Sequence, residues 1–266
     1  MTIAIFGAGV MGEALLSGLL RGGRTPDQIV ITERRRERAT ELTDRYGVRV
    51  LDNLSAAGEA EVLILVVKPQ DMSALLAEIG DVVRPGTLVV SLAAGVRTTD
   101  IAAALPEGTP VVRAMPNTPA LVDQGMAALS RGNEHVDDAA MDRAMDLLSA
   151  CGKALEVPES YLDAVTAISG SGPAYVFYVV EAMIEAGVVL GLPRATATEL
   201  SVQTLFGAAT MIRQTGTHPT VLREQVTSPG GTTAAALRTL DDHKVRAAFI
   251  SAIEAAAERS SQLSGQ

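Results

Sequence analysis

Four hydroxyl side chains and two glycines are packed into Val226-Thr227-Ser228-Pro229-Gly230-Gly231-Thr232-Thr233, which runs into a helical pattern from Ala234 to Leu240. The glycines let the backbone come close to a ligand, Pro229 stiffens the turn, and the free N–H groups of a helix start point outward. This is a neutral cradle for a small anion, suited to holding a carboxylate by hydrogen bonds and the helix dipole. It contains no metal ligand and no nucleophile–base pair. The competing reading is a well-capped turn joining two helices.

A second candidate lies near the start of the chain. Thr2 to Phe6 reads as a short apolar strand, followed at once by Gly7-Ala8-Gly9-Val10-Met11-Gly12 and a helical pattern to about Leu20. This is G-x-G-x-x-G with a strand before it and a helix after it, the setting in which glycines permit a tight turn, approach of a pyrophosphate and close helix–strand packing. A second strand, Gln28 to Thr32, ends where such a fold reads the adenosine ribose, and Glu33 and Arg34 stand there. A carboxylate there favours NAD(H) and an arginine favours NADP(H); the balance tips to NADP(H), with NAD(H) possible. Alternatively, Arg34 to Arg38 form a solvated helix face paired with Glu33, Glu37 and Glu41.

The elements that position these residues alternate. Strands are expected at Val48 to Leu51 and at Val62 to Val67, a fully apolar run typical of a parallel strand covered on both faces. The latter ends in Lys68-Pro69-Gln70, where Lys68 reads either as a cofactor or substrate contact or as a plain strand-end charge. Helical Met72 to Ile79 leads to a strand at Thr87 to Ser91 and the small-residue turn Leu92-Ala93-Ala94-Gly95. The strand Pro110 to Met115 empties into Pro116-Asn117-Thr118-Pro119, where two prolines leave Asn117 and Thr118 as the polar, positionable groups. An extra strand at Met126 to Ser130, a helix at Val136 to Ala150 and a last strand at Ala154 to Val157 complete this half. After Pro158 the pattern is helical, and Ser260 to Gln266 reads as a frayed tail. The fold class is therefore α/β: a Rossmann-type, doubly wound, mostly parallel sheet over residues 1–157, then an all-helical domain over 158–266.

Composition narrows the function. Aromatic residues are only 3% of the chain and Trp is absent, so the core must be aliphatic. The net charge is −9 and the basic residues are scattered apart from Arg34 to Arg36, which argues against a nucleic-acid footprint. A single Cys151, read as a buried structural thiol, and the lack of a metal-spaced Cys/His cluster suit a reducing cytoplasm and no metal. The first residues already read as a strand, so no leader is expected. Tyr175 to Leu192 carries Glu181 and Glu185 in mid-span, so it reads as a buried helix and not as a membrane span. Its apolar residues run almost all round, more than about a hundred helical residues can cover, which points to a homodimer through this half.

Taken together, these stretches resemble the pyrroline-5-carboxylate reductases. The likeness extends along the whole chain: Gly7 to Gly12, Val66-Val67-Lys68-Pro69-Gln70, Ser91 to Gly95, Arg113 to Pro119, Asp163-Ala164-Val165-Thr166, Ser169-Gly170-Ser171-Gly172-Pro173-Ala174-Tyr175, and the Ser-Pro-Gly-Gly stretch. The resemblance implies reduction of 1-pyrroline-5-carboxylate to L-proline, a dinucleotide-binding first domain, and a helical second domain that builds a homodimer or a higher oligomer of dimers. It implies cofactor contacts from Phe6, Gly7, Ala8, Gly9, Val10, Met11, Gly12, Arg34, Asn53, Val66, Val67, Lys68, Pro69, Leu92, Ala93, Ala94 and Asn117. It further implies substrate contacts from Glu159, Ser171, Gly230, Gly231, Thr232 and Thr233, with Thr233 and Ser228 closest to the chemistry. Gly216 and Thr217 stand where relatives carry an acidic residue shortly before His218-Pro219.

Such a reaction asks little acid–base power of the protein, since an imine nitrogen is basic enough to take its proton from water or a hydroxyl. The expected roles are therefore orientational. The N–H groups of Gly230, Gly231 and Thr232, with Ser228, would surround the carboxylate, and Thr233 would hydrogen-bond the ring nitrogen. A β-hydroxyacid dehydrogenase shares this plan but needs a lysine in its helical domain, and Lys244 is the only lysine after Pro158. A nucleotide-sensing protein without turnover would be expected to carry a damaged glycine turn or substrate stretch.

Overall fold

The computed structural model describes residues 1–263 and divides into two compact units: Met1–Ser171 together with the chain from Ala256, and Gly172–Ala255. In the first unit an eight-stranded sheet is formed by β1 (Ile3–Phe6), β2 (Ile29–Thr32), β3 (Arg49–Val50), β4 (Val62–Leu65), β5 (Leu88–Ser91), β6 (Val111–Met115), β7 (Gly125–Arg131) and β8 (Gly152–Glu156). Their order is β3-β2-β1-β4-β5-β6-β7-β8. Every pairing is parallel except β6 with β7. The order reverses between β1 and β4, which opens a crevice at their C-terminal ends.

Two-residue periodicity divides the core. Ile3 and Ile5 of β1 pack on one face with Leu15, Leu16 and Leu19 of α1 (Val10–Arg21), while Ala4 and Phe6 point to the other face. Between strands the chain forms α2 (Arg36–Tyr46), α3 (Asn53–Glu59), α4 (Pro69–Ile79), α5 (Thr98–Ala103) and α6 (Asp138–Ser149). Leu75 and Leu76 of α4 fill the second face. Both faces of β4 are buried, which is why its sequence is an unbroken apolar run.

A short helix α7 (Leu162–Val165) passes into a π-helical turn, Thr166–Gly170, at the end of the first unit. The compact units thus divide at Ser171/Gly172, some turns beyond Pro158, because residues 159–170 are held to the sheet domain. Glu159 is gripped by Thr98 and Arg113, Ser169 by Asn117, and Asp163 by Ser260.

The second unit contains α8 (Gly172–Val189), α9 (Arg194–Thr215), α10 (Pro219–Gln225), α11 (Thr232–Asp242) and most of α12 (Val245–Leu263). Helices α8 and α9 pack as a hairpin at Gly187, whose missing side chain lets Ala197 approach; an added Cβ would lie 2.8 Å from that of Ala197. In the single chain the stretch Tyr175 to Leu192 is largely open. Phe177 is 66% exposed, Tyr178 74% and Val189 84%, and Gly187 is the one buried residue of α8. The stretch Glu159–Val189 is long and apolar enough to cross a membrane by length and composition, yet Glu185 forms an ion pair with Arg194 at 2.7 Å on its surface. The tail is likewise more ordered than its composition suggests: α12 continues to Leu263, and residues 264–266 lie outside the described residues.

Candidate active site

The three glycines of the first turn are there for three different reasons. Gly7 adopts φ +95°, and its Cβ would meet the backbone of Val66 at 3.1 Å, so it is needed where β1 and β4 part. A Cβ on Gly12 would overlap the carbonyl oxygen of Gly7, so it is needed for helix–strand packing. Gly9 has ordinary negative φ and nothing within 4 Å of an added Cβ. Packing and backbone geometry do not require a glycine there, whereas a ligand lying against the backbone would. Gly9 is the N-cap of α1 with no side chain capping it, and Val10 beside it is 64% exposed. An uncapped helix start with open space at a glycine fits a pyrophosphate.

The surrounding residues complete that crevice. Phe6 is fully buried, and its carbonyl accepts from the Val66 N–H at 2.8 Å; Leu65 receives the Leu92 N–H at 2.9 Å in the same way. The turns at Val66, Val67, Lys68 and Pro69 and at Leu92, Ala93 and Ala94 are therefore fixed at adjacent strand ends by the sheet itself. Ala8 and Met11 line the inner side of the glycine turn, Ala8 buried in the core. Among the described residues the Lys68 ammonium, exposed at the N-cap of α4, has no partner. Asn53 opens α3 and donates to Glu78 at 2.8 Å.

At the end of β2 the arginines differ from one another. Arg34 remains 80% exposed and pairs with Asp71 of α4 at 3.1 Å. Arg35 turns back on Glu33, whose carboxyl is held below the usual carboxylate range by that guanidinium. Arg38 bonds Glu13, Glu41 and the Ala8 carbonyl, tying α2 to the glycine turn. The expected pairing holds for Arg35 with Glu33 and for Arg38 with Glu41, and not for Arg34, which pairs with Asp71.

Two polar residues are more occupied than their sequence context suggests. The Asn117 carboxamide accepts from the Met126 N–H at 2.8 Å and donates to the Ser169 carbonyl at 3.0 Å, so it clamps the Pro116 loop to β7 and to the π-helical turn. Glu159 accepts from Thr98 at 3.0 Å and pairs with Arg113 at 3.3 Å. Sequence reasoning missed both of these partners. An arginine in the middle of the apolar run Val111-Val112-Arg113-Ala114-Met115 was the available signal. The π-helical turn was also missed; its Gly170 makes room for the Met115 side chain, and the Ser171 N–H closes it on Thr166 at 2.8 Å. Cys151 is buried, with its thiol raised to about 11 by that burial, a packing residue as expected.

In the second unit, Gly230 takes φ +71° and Gly231 caps α11 with no side-chain bond. Ser228 therefore does not cap the helix; the cap is Gly231 itself. The expected donor set needs one correction: the Gly231 N–H is spent on the Ser228 carbonyl at 3.0 Å. Its missing side chain makes room for the Ser228 hydroxyl, which an added Cβ would overlap. Thr227 bonds the Arg223 carbonyl at 2.6 Å, whereas the hydroxyls of Ser228, Thr232 and Thr233 have no partner among the described residues. Three hydroxyls without partners beside a glycine-capped helix start are chemically suited to a small anion.

Comparison with known proteins shows the family. Residues 159–263 match the family model described as pyrroline-5-carboxylate reductase dimerisation, and residues 2–95 match that of NADP oxidoreductase, coenzyme F420-dependent. A pyrroline-5-carboxylate reductase of Corynebacterium melassecola is 49% identical over 98% of both chains. This chain belongs to the pyrroline-5-carboxylate reductase family. The solved pyrroline-5-carboxylate reductase of Coxiella burnetii superposes with a TM-score of 0.93 at 38% identity, covering 99% of this chain and 98% of that one. The Plasmodium falciparum reductase, solved with NADP bound, gives 0.89 at 27% identity over 99% and 98%. The glycine turn and the Ser228–Thr233 stretch each open a helix whose N-cap glycine has no side-chain bond.

Proposed function

We propose that this protein reduces 1-pyrroline-5-carboxylate to L-proline with NADPH, as the last step of proline synthesis, and that NADH can serve as well. The observation that carries the reading is Gly9: an N-cap glycine with open space at its Cβ position, set at the switch point of the sheet. The bound dinucleotide would supply a hydride to the C=N carbon, and one proton from solvent completes the amine. Gly9 through Gly12 would hold its pyrophosphate on the α1 N-terminus. Arg34 would hold the 2′-phosphate, and the Val66–Pro69 and Leu92–Ala94 turns would flank the nicotinamide half.

The residues of the second unit bind and orient. Ser228 Oγ and the N–H groups of Gly230 and Thr232 would hold the substrate carboxylate, and the Thr233 hydroxyl would hydrogen-bond the ring nitrogen as it becomes an amine. No strong acid is needed, and the stretch contains none. Asn117 and Glu159 act as positioning residues: one clamps the Pro116 loop, the other ties the turns after β8 to Thr98 and Arg113.

The exposed apolar side of α8 supports a homodimer built through the helical region, since Phe177, Tyr178 and Val189 need a cover that the second unit itself does not provide. A buried, free Cys151 agrees with a cytoplasmic enzyme. The test is steady-state consumption of NADPH with 1-pyrroline-5-carboxylate, with proline identified as product. Consumption with stoichiometric proline supports the assignment, and no consumption with either NADPH or NADH refutes it.

A further inference from the structure

At the end of β2 the sequence sets an acid before three arginines, and the structure shows the acid already engaged. Glu33 follows Thr32, whose carbonyl accepts from the Gly7 N–H at 3.2 Å, so this carboxylate sits at the strand end beside the glycine turn, where the adenosine ribose is read. Its side chain is only 8% exposed. An ionised acid in that place would accept from a ribose 2′-hydroxyl and repel a 2′-phosphate. Here both of its oxygens are occupied. Oε1 accepts from the Arg35 N–H at 2.9 Å and from Arg35 Nε at 3.0 Å, and Oε2 accepts from Arg35 Nη2 at 3.0 Å. A three-point, charge-assisted grip of this kind is among the stronger side-chain pairings.

Its neighbour is free to act. Arg34 is 80% exposed, and its single pairing with Asp71, itself 36% exposed, is a surface pair that a phosphate dianion can displace. The Arg35 guanidinium lowers the Glu33 pKa, so the pair and not a proton offsets its charge.

We propose that Arg35 sets the cofactor preference of this protein: by neutralising Glu33 through its backbone N–H and guanidinium, it removes the repulsion that would otherwise exclude a 2′-phosphate, leaving Arg34 to bind it. Arg35 is a positioning and masking residue, and Arg34 the contacting one. This rests on the reading that the first unit binds a nicotinamide dinucleotide.

The experiment measures equilibrium dissociation constants of NADPH and NADH, by reduced-nicotinamide fluorescence, on the full chain of wild type, Arg35→Ala, Glu33→Gln and Arg35→Ala/Glu33→Gln. Arg35→Ala should weaken NADPH by about tenfold or more while NADH changes by less than about threefold. The double variant should return NADPH to within about threefold of wild type, since the exposed charge is gone. Thermal melts of each variant serve as a check on folding. Arg35 is also the N-cap residue of α2. A merely structural role there would weaken both dinucleotides alike and would not be rescued by Glu33→Gln, and that result overturns the proposal. Wild-type protein that binds neither dinucleotide would instead remove the underlying reading, and the proposal with it.

Discussion

Substituting the second glycine of the turn separates what the fold requires from what a ligand requires. In Gly9→Ala the new methyl has no protein atom within 4 Å, and the backbone at φ −70°, ψ −161° suits an L-residue. Two terms act on stability. Reduced freedom of the unfolded chain contributes about 0.4–1 kcal/mol, and loss of a good N-cap residue costs about as much. The net is under about 1 kcal/mol, so the melting temperature should move by less than about 4 °C. Cofactor binding should change far more. A methyl in the open space pushes the pyrophosphate from the N–H groups of α1 and removes one or two charge-assisted hydrogen bonds of about 1.5–3 kcal/mol each. NADPH affinity should fall by roughly ten- to a hundredfold or more. Gly12→Ala is the control: its Cβ would overlap the Gly7 carbonyl, so it should destabilise the fold by about 1–3 kcal/mol whether or not a ligand is present. Titration of NADPH by nicotinamide fluorescence, paired with thermal melts, reads both quantities. Wild-type affinity in a well-folded Gly9→Ala variant would refute the assignment of that space to the cofactor.

Thr233→Ala should lower kcat/KM for the imine by about 1–3 kcal/mol with the NADPH dissociation constant nearly unchanged, because the Thr233 hydroxyl has no internal partner to lose. A melting-temperature loss with normal kinetics would return that turn to a structural role. Phe177→Asp, on the 66% exposed apolar side of α8, should convert the proposed dimer to monomer in sedimentation at micromolar concentration; an unchanged sedimentation coefficient would remove α8 from the interface. Cys151 has its folded pKa raised to about 11, so neutral-thiol burial favours the fold below the unfolded value of about 8.5 and that contribution is lost as pH rises through 11. Cys151→Ala should accordingly flatten the alkaline fall in melting temperature, and equal slopes for both proteins would reject this account. Asn117→Ala, which abandons the Met126 N–H and the Ser169 carbonyl, should cost about 1–3 kcal/mol of stability, read by urea unfolding.

Much of this was legible in the residues. Gly7, Gly9 and Gly12 could be read because a strand before and a helix after give the spacing a single geometric meaning. Val62 to Leu65 could be read as a central strand because both of its faces are buried and its sequence cannot alternate. The antiparallel entry of β7 leaves no local trace, since an apolar strand pattern has no direction. Asn117 shows the limit most clearly: an amide between prolines looks available for a ligand, and only the contacts of Met126 and Ser169, both distant in sequence, show where its hydrogen bonds go. The same holds for Glu159, read as a substrate neighbour by resemblance and found paired with Arg113 and Thr98. The π-helical turn at Thr166–Gly170 and the spent Gly231 N–H are further features of hydrogen-bond choice that residue types alone do not specify. For α8, hydrophobicity all round the helix states that it must be covered, and its exposure in the single chain shows that its own unit does not cover it.

The central claim is that the chain passes a hydride to the C=N carbon of 1-pyrroline-5-carboxylate. The most direct measurement is a turnover with NADPH deuterated at the transferring position of nicotinamide C4, followed by mass spectrometry and NMR of the product. The account predicts L-proline carrying one deuterium, on the ring carbon that was double-bonded to nitrogen. Bound but unoxidised NADPH, or proline without that label, would contradict it.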